Sequence, residues 1–145
     1  MPELLHDHEL EFMVRLAICL ICGIAIGVER ESRGKPAGIA THSFVIGGAA
    51  MFTMISAVVD PASPARIAAQ VVAGVGFLGA GMIIKSSGDK IYNLTTAAAI
   101  WFAAGIGMAI GFGWYLIGGV ATVYAVVVPR IPHVKTWRGE QEDGG

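Results

Sequence analysis

Charged side chains are scarce in this sequence of 145 residues. They make up 14% of the chain, whereas hydrophobic residues make up 54%, and a soluble domain carries roughly 25% charged residues. From residue 36 to residue 128 the only charged side chains are Asp60, Arg66, Lys85, Asp89 and Lys90. This distribution excludes an ordinary water-soluble domain and predicts that the middle of the chain lies in a membrane.

Excess positive charge and catalytic motifs are also missing. The net charge of −1 leaves no basic surface that would bind a nucleic acid. The sequence has no H-E-x-x-H motif, no nucleophile at a usable spacing from a base, and no pair of carboxylates at membrane depth. We therefore expect a protein that is not an enzyme and does not bind nucleic acid.

Cysteine is limited to Cys19 and Cys22. Their spacing is that of a redox pair or of half a zinc site, but a second pair is lacking. Small thiols also pack well between helices, and packing is the favoured interpretation.

Five apolar segments predict an all-α, integral membrane bundle of five helices. A membrane span needs about 20 apolar residues, so the charge-free stretch after residue 90 is too long for one helix, and the glycines at 111 and 113 are predicted to break it. The predicted spans are residues 12–28, 39–58, 67–84, 93–111 and 114–128. We expect residues 1–11 to form an external segment and residues 130–145 to form a flexible cytoplasmic tail.

Positive charges near the span ends predict the orientation, because Lys and Arg are retained on the cytoplasmic side. Eight of the ten fall on one side of the five-span arrangement, and Arg15 and Arg66 are the exceptions. The eight are Arg30, Arg33, Lys35, Lys85, Lys90, Arg130, Lys135 and Arg138. The N-terminus is therefore expected outside and the C-terminus in the cytoplasm.

Small residues cluster in the spans and predict close helix packing, which holds membrane helices together. The third span contains a literal GxGxxG, but the run is uncharged and lacks the strand and helix of a dinucleotide site. Its glycines lie on two opposite faces, which favours a central helix. The predicted packing residues are Gly23, Gly27, Gly74, Gly76, Gly79, Gly81, Ala99, Ala103, Gly107 and Gly111. They predict a tight bundle and a homo-oligomer.

Polar side chains at membrane depth are the candidate functional residues, because they are costly in lipid. Arg15 and Glu29 share a stripe of the first span, and each is expected to anchor at the interface, to pair inside the bundle or to bind a ligand. On the second span His42 begins a weakly polar seam with Thr53 and Ser56. His42 either titrates near neutral pH or hydrogen-bonds a neighbouring helix, and the second is favoured.

Other polar residues lie on the third and fourth spans. Gln70 shares the face of Gly74 and Gly81, so we expect an amide at the closest helix contact. Asn93, Thr95 and Thr96 are expected to form the N-cap and first turn of the fourth span, a place that also suits an anion or water. A weak Mg²⁺ candidate is the set of Glu29, Glu31 and Asp89, which would bind the ion with retained waters or form a neutralising surface network.

The order of several motifs resembles the MgtC/SapB family of bacterial inner-membrane proteins over residues 14–128. The motifs are RLAICLICGIAIGVERE, GKPAGIATH, RIAAQVVAGVGFLGAGMII and LTTAAAIWFAAGIGMAIGFGWY. The family's characteristic polar residues match Arg15, Glu29, Arg30, Thr41, His42, Arg66, Gln70, Thr95 and Thr96, and its glycine motif matches Gly74, Gly76, Gly79 and Gly81.

The resemblance implies a five-helix membrane domain and a role in adaptation to low magnesium, linked in pathogens to virulence. It also implies action on another inner-membrane protein, such as the membrane ATP synthase, without transport of Mg²⁺ by the protein itself. Ala40 stands where the family usually has Arg, and Asn93 where Gly is common. Virulence-associated members continue into a soluble ACT-like domain, which we expect this protein to lack.

Two other functions compete with a helix-contact regulator. A transporter or channel for a cation or small solute would need a continuous polar path, with Arg15, the His42–Ser56 seam, Gln70 and Thr95/Thr96 as its lining. A scaffold subunit without a ligand would satisfy all of these groups internally. No cofactor is expected, apart from Mg²⁺ as a candidate ion, and the surrounding partner is membrane lipid.

Overall fold

The computed structural model describes residues 2–84 and 93–132, and every secondary-structure element in those two ranges is helical. The helices are α1 (Pro2–Ser32), α2 (Ile39–Val59), α3 (Ala65–Ile84), α4 (Leu94–Gly111) and α5 (Tyr115–Val127), and a single 3₁₀ turn (Val128–Arg130) follows α5. The predicted all-α fold with five helices is confirmed.

Four of the helices are long and apolar enough to cross a membrane: His8–Ser32, Ile39–Val59, Ala65–Ile83 and Leu94–Gly111. The protein is therefore a multi-pass membrane protein. Helix α5 has 13 residues, which reach about 20 Å at 1.5 Å per residue. The fifth predicted span thus exists as a helix that is shorter than the other four.

Helix α1 begins at Pro2, ten residues before the predicted start of the first span. Residues 1–11 are predicted to form an external segment, and residues 2–11 belong to the same helix as the span. The change from polar to apolar residues marks a change of environment and does not end a helix. Proline suits the first helical position, and no glycine follows it before Gly23.

Helices α1 and α4 each end in a hydrogen-bonded turn of the same type, which explains where these two helices stop. In the first turn, Lys35 N–H donates to Arg30 O and Gly34 N–H donates to Glu31 O. In the second, Trp114 N–H donates to Ala109 O and Gly113 N–H to Ile110 O. This is the Schellman pattern, which needs a left-handed residue that glycine supplies best; φ is 62° at Gly34 and 81° at Gly113. The predicted break at Gly111–Gly113 is confirmed.

Helix α4 lies at the centre of the bundle and contacts α1, α2, α3 and α5. Helix α3 contacts only α2 and α4 among the described elements, and 17% of its membrane-spanning window is buried, against 56% for α4. The prediction that the third span is central is therefore wrong. Its glycines predicted close neighbours, but the pattern does not say which neighbours the same chain supplies.

The interior combines small and polar residues with several buried isoleucines, whereas the aromatic and many of the other large apolar side chains cover the outside. Ala50, Ala103 and Ala104 are at most 2% exposed, but Phe44, Phe77 and Leu116 are each at least 80% exposed. This arrangement suits lipid, because helix packing in membranes depends on close backbone contact and not on burying large apolar groups.

Candidate functional site

Four polar side chains are buried together where α1 ends and where α2 and α4 begin. Glu29 and Arg30 lie in the last turns of α1, His42 lies in the first turn of α2, and Thr96 lies in the first turn of α4. Each is at most 2% exposed. We call these four residues the polar cluster.

Close packing of α1 against α2 brings the polar cluster together. A Cβ atom built on Gly27 would overlap the backbone of Ile39, and one built on Gly23 would lie 2.5 Å from the Cα of Ser43. The two helices therefore touch along their backbones at the depth of His42. Gly23 and Gly27 lie at the helix contact for which the sequence selected them.

Two short contacts hold the side chains of the polar cluster in place. Arg30 Nη2 donates to Thr96 Oγ1 at 2.6 Å, which joins α1 to the start of α4. His42 Nδ1 lies 3.0 Å from the carbonyl oxygen of Gly38. That carbonyl precedes the same helix, so the expected bond from His42 to a neighbouring helix is not what the structure contains. The His42 ring bonds instead to the N-terminal turn of its own helix.

Several atoms of the cluster have no hydrogen-bond partner among the residues that the structure describes. They are both carboxylate oxygens of Glu29, Nε of Arg30 and Nε2 of His42. Because His42 Nδ1 donates to Gly38 O, a neutral ring leaves Nε2 as an acceptor. The set therefore has three acceptors and one donor that lack a hydrogen bond, and buried polar groups of this kind are usually satisfied by water or a ligand.

Arg30 balances the charge of Glu29 within the polar cluster, and Arg33 at its edge adds a second positive charge. Arg33 Nη1 lies 3.5 Å from Glu29 Oε1 on the more exposed side. Arg33 also donates to the carbonyl of Pro129 beyond α5. A carboxylate with two arginines beside it suits water or a polar neutral group better than a bare metal ion.

The three weak Mg²⁺ candidates are not brought together in the described part of the chain. The Glu31 carboxylate accepts the backbone N–H of Ile39 at 2.8 Å and so caps the start of α2, whereas Glu29 is buried in the cluster. Asp89 lies outside the described residues. Within the described ranges, no group of three or more His, Cys, Asp or Glu side chains is arranged to hold a metal ion.

Arg15 lies at the opposite end of the bundle from the polar cluster. Its guanidinium donates to the backbone carbonyl of Gly111 and to Glu11, and it lies 5.9 Å from the centre of the Tyr115 ring. A cation at the last carbonyls of α4 is favourable because that helix end carries partial negative charge. Of the three alternatives for Arg15, the structure supports an internal partner that joins α1 to the α4–α5 turn.

The polar seam of α2 is divided between separate bonds and does not form a path. Thr53 Oγ1 donates to Ala49 O at 2.8 Å within the helix. Ser56 Oγ donates to Pro64 O at 2.6 Å and accepts from Ile67 N at 3.2 Å, which closes the connection to α3. Both hydroxyls therefore have structural roles.

The remaining predicted polar residues lie apart from the cluster. Thr95 and Gln70 are exposed, Thr41 is half-buried, and Arg66 pairs with Asp60 at 3.6 Å at an exposed helix end. Asn93 occupies the N-cap position of α4, but its side chain makes no capping bond. Its φ of 63° is left-handed, a conformation that Asn tolerates better than other non-glycine residues.

The predicted packing residues of α3 and α4 divide into two groups. Along α4, a Cβ on Gly107 would overlap the carbonyl of Ile46, and one on Gly111 would lie 2.7 Å from Ala50 O. Ala103 is fully buried and Ala99 is half-buried. This row is used inside the chain, against α2, so it is not a free face for an oligomer.

The glycines of α3 form the second group and behave differently. A Cβ on Gly79 would make ordinary contact with Ala97 at 3.7 Å, but one on Gly74, Gly76 or Gly81 would meet nothing within 4 Å. The predicted packing role of Gly74, Gly76 and Gly81 is therefore not fulfilled within the described chain.

Cys19 and Cys22 are free thiols in the core.

Sequence reasoning missed the cap that Glu31 places on α2 and the pairing of Arg33 with Glu29. The only signal for the first is that Gly38 leaves room for a carboxylate, since a Cβ there would overlap Glu31. The second is an i, i+4 pair, which is readable from the sequence. Lys85, Lys90, Lys135 and Arg138, on which the predicted orientation partly rests, lie outside the described residues.

Comparison with known proteins gives consistent relatives. The sequence profile of the MgtC family matches residues 16–134. The Escherichia coli K12 protein named "Putative magnesium transporter YhiD" is 44% identical over 137 residues, which cover 88% of this chain and 63% of that protein. Protein MgtC of Salmonella typhimurium LT2 is 42% identical over 112 residues, covering 77% of this chain and 48% of that protein.

A Haemophilus influenzae protein of uncharacterized function is 39% identical over 142 residues, covering 90% of this chain and 59% of that protein. The chain thus spans less than two thirds of the length of each of these relatives. No solved structure matches it.

Proposed function

This chain belongs to the MgtC family, and on that premise we propose that it is a non-enzymatic bacterial inner-membrane protein of magnesium homeostasis, which acts through helix contacts with other membrane proteins. The magnesium link is supported by its similarity to a relative whose name is that of a magnesium transporter. Action through contacts is supported by the closed interior of the bundle.

The observation that carries the proposal is the way polar side chains are used at membrane depth. Arg15, Thr53, Ser56 and Thr122 each donate to a backbone carbonyl of the bundle. The grooves between the helices open at the outer surface and are lined almost entirely by apolar side chains. A hydrated ion crossing the bundle would need a polar path, and this arrangement does not favour one.

The experiment is a flux assay in liposomes that contain only this protein. We expect no saturable Mg²⁺ flux and no H⁺ flux from protein that is shown to be folded and inserted. In a strain from which the gene has been deleted, growth at limiting Mg²⁺ should nevertheless require that this chain be supplied again. Saturable Mg²⁺ flux would refute action through contacts, and growth that is independent of the chain would refute the magnesium role.

The membrane ATP synthase is the partner that we propose on the basis of family membership. In co-reconstituted vesicles, ATP-driven proton pumping should decrease as this chain is added. The comparison is an equal amount of the Leu116→Lys variant, which alters the exposed outer face of α5. It tests whether inhibition depends on contact through that face. Unchanged pumping with the unmodified chain would exclude this partner.

A second function is favoured by one specific observation, the buried carboxylate of Glu29, which has an ion pair with Arg33 but no hydrogen bond among the described residues. Intramembrane carboxylates commonly mark ion or proton pathways, and transport is the alternative that the polar cluster supports. If flux is observed, Glu29→Gln should abolish it. The matched control is Asp60→Asn, which should leave the flux unchanged. Asp60 follows the end of α2 that lies away from the polar cluster, and it pairs with exposed Arg66.

A further inference from the structure

Helix α3 leaves most of its circumference uncovered. Ala68, Val71 and Val75 form its buried stripe towards α2 and α4, whereas Phe77 on the outer side is 80% exposed. Small residues are concentrated on this uncovered surface, although lipid-facing helices gain nothing from small side chains. In membranes, small residues on one face normally mark contact with another helix.

A groove of about 500 Å³ runs between α2 and α3 on this side of the bundle. Its lining includes the exposed side chains of Phe44, Phe52 and Leu78, together with Gly48 and Gly74. A Cβ built on either glycine would meet nothing within 4 Å. The groove is therefore open to an approaching backbone, and the described part of the chain does not fill it.

One polar group, the amide of Gln70, lines this apolar groove. Gln70 is exposed, and its side chain makes no hydrogen bond with the residues that the structure describes. It lies one turn and a half inside α3, beyond Arg66, and the helix carries no charge from Ile67 to Ile84. An unpaired amide in hydrocarbon is costly because no water is present to satisfy it.

We propose that this groove is the contact between two copies of the chain, in which the two Gln70 amides hydrogen-bond to each other. An amide is both donor and acceptor, so it is complementary to itself. Two copies with the same topology are related by an axis along the membrane normal, which places identical residues at identical depth. A lipid acyl chain fills the same volume but leaves the amide unpaired.

The absence of charge also favours a second copy. A face that meets itself brings like charges together, and the α3 surface between residues 67 and 84 has none to repel. At the end of the face, Asp60 and Arg66 carry opposite charges, so a second copy brings both signs to that end. Gly74 lies one turn from Gln70 and allows the two α3 helices to approach closely enough for the amides to meet.

The test is the dimerisation of the full chain in liposomes, measured by energy transfer between labelled copies as the protein-to-lipid ratio is varied. We expect the wild-type chain to dimerise. Gln70→Leu should weaken the dimer by about 3- to 30-fold, the range expected for one interhelical hydrogen bond. Gly74→Leu should abolish the dimer because the leucine side chain would occupy the groove.

Gly119→Leu on α5 is the matched control, because a Cβ there also meets nothing within 4 Å. It should dimerise like the wild type. Both leucine variants replace a glycine over open space, so each should retain the helix content of the wild type by circular dichroism. A monomeric wild type at every ratio, or a dimer that Gly74→Leu and Gly119→Leu affect equally, would overturn the proposal.

A cross-linking measurement tests the position of the axis separately. Gln70→Cys should give a covalent dimer under membrane-permeable oxidation, whereas Gly119→Cys should remain monomeric. The native Cys19 and Cys22 are buried in the core, and the wild-type chain serves as their control. Cross-linking at residue 119 but not at residue 70 would place the contact on α5 and refute the assignment.

Discussion

Replacement of Gly107 by alanine should destabilise the bundle, because α2 and α4 touch through their backbones at this position. The added Cβ would overlap the carbonyl oxygen of Ile46 and lie 2.8 Å from the Cβ of Ala49. The carbonyl belongs to α2 and cannot rotate away as a side chain does. Overpacking of this kind costs about 1–3 kcal/mol, and the whole of α2 has to shift to relieve it.

The control is Gly105→Ala, two residues away on the same helix. A Cβ there meets nothing within 4 Å. Both substitutions gain the same helix propensity, about 1 kcal/mol over glycine, so the difference between them isolates the contact with α2. We expect Gly107→Ala to be less stable than Gly105→Ala by about 1–3 kcal/mol.

The assay is unfolding by SDS titration in mixed micelles, followed by circular dichroism for both variants and the wild type. Gly107→Leu extends the series, and it should fail to fold or unfold at the lowest SDS fraction. If the two alanine variants agree within about 0.5 kcal/mol, as surface substitutions usually do, the backbone contact between α2 and α4 is absent and the reasoning fails.

Three further outcomes are expected. Thr96→Val removes the acceptor of Arg30 and should cost about 1.5–3 kcal/mol in the same titration, whereas exposed Thr95→Val should change stability by less than about 0.5 kcal/mol; equal effects would contradict the role of the Arg30–Thr96 bond. Ala37→Gly should stabilise the protein by about 0.5–1 kcal/mol, since φ is 64° there and left-handed backbone is costly for alanine; a loss of stability would show that this conformation is not populated. A cytoplasm-only reporter fused after Gly145 should be active because positive charges are retained inside, and a silent fusion would overturn the five-span orientation.

The helices were predictable because their signal is local. Runs of apolar residues identify α2 to α5, and the glycine at 113 identifies the break through the left-handed turn that it supplies. The start of α1 was missed because hydropathy reports where lipid begins, and Pro2 begins a helix independently of that boundary. Local patterns therefore give elements better than they give their ends.

The partner of each small residue was not predictable, because a glycine indicates close approach and does not identify the neighbour. Gly107 and Gly74 look alike in the sequence, yet one touches α2 and the other faces outwards. The same limit applies to the polar cluster. Glu29, His42 and Thr96 were each recognisable as unusual, but their convergence depends on how closely α1 and α2 pack at Gly27.

Two arginines, Arg15 within α1 and Arg33 directly after it, impose an order on biosynthesis. Arg15 bonds to Gly111 and Arg33 bonds to Pro129, and each partner follows its arginine by 96 residues. At about 5–20 residues per second, the ribosome needs about 5–20 s to supply them. During that interval Arg15 and Arg33 have only Glu11 and Glu29, four residues before them, as partners. The bonds that tie the first helix to the end of the bundle therefore form only after α4 and α5, respectively, have been synthesised.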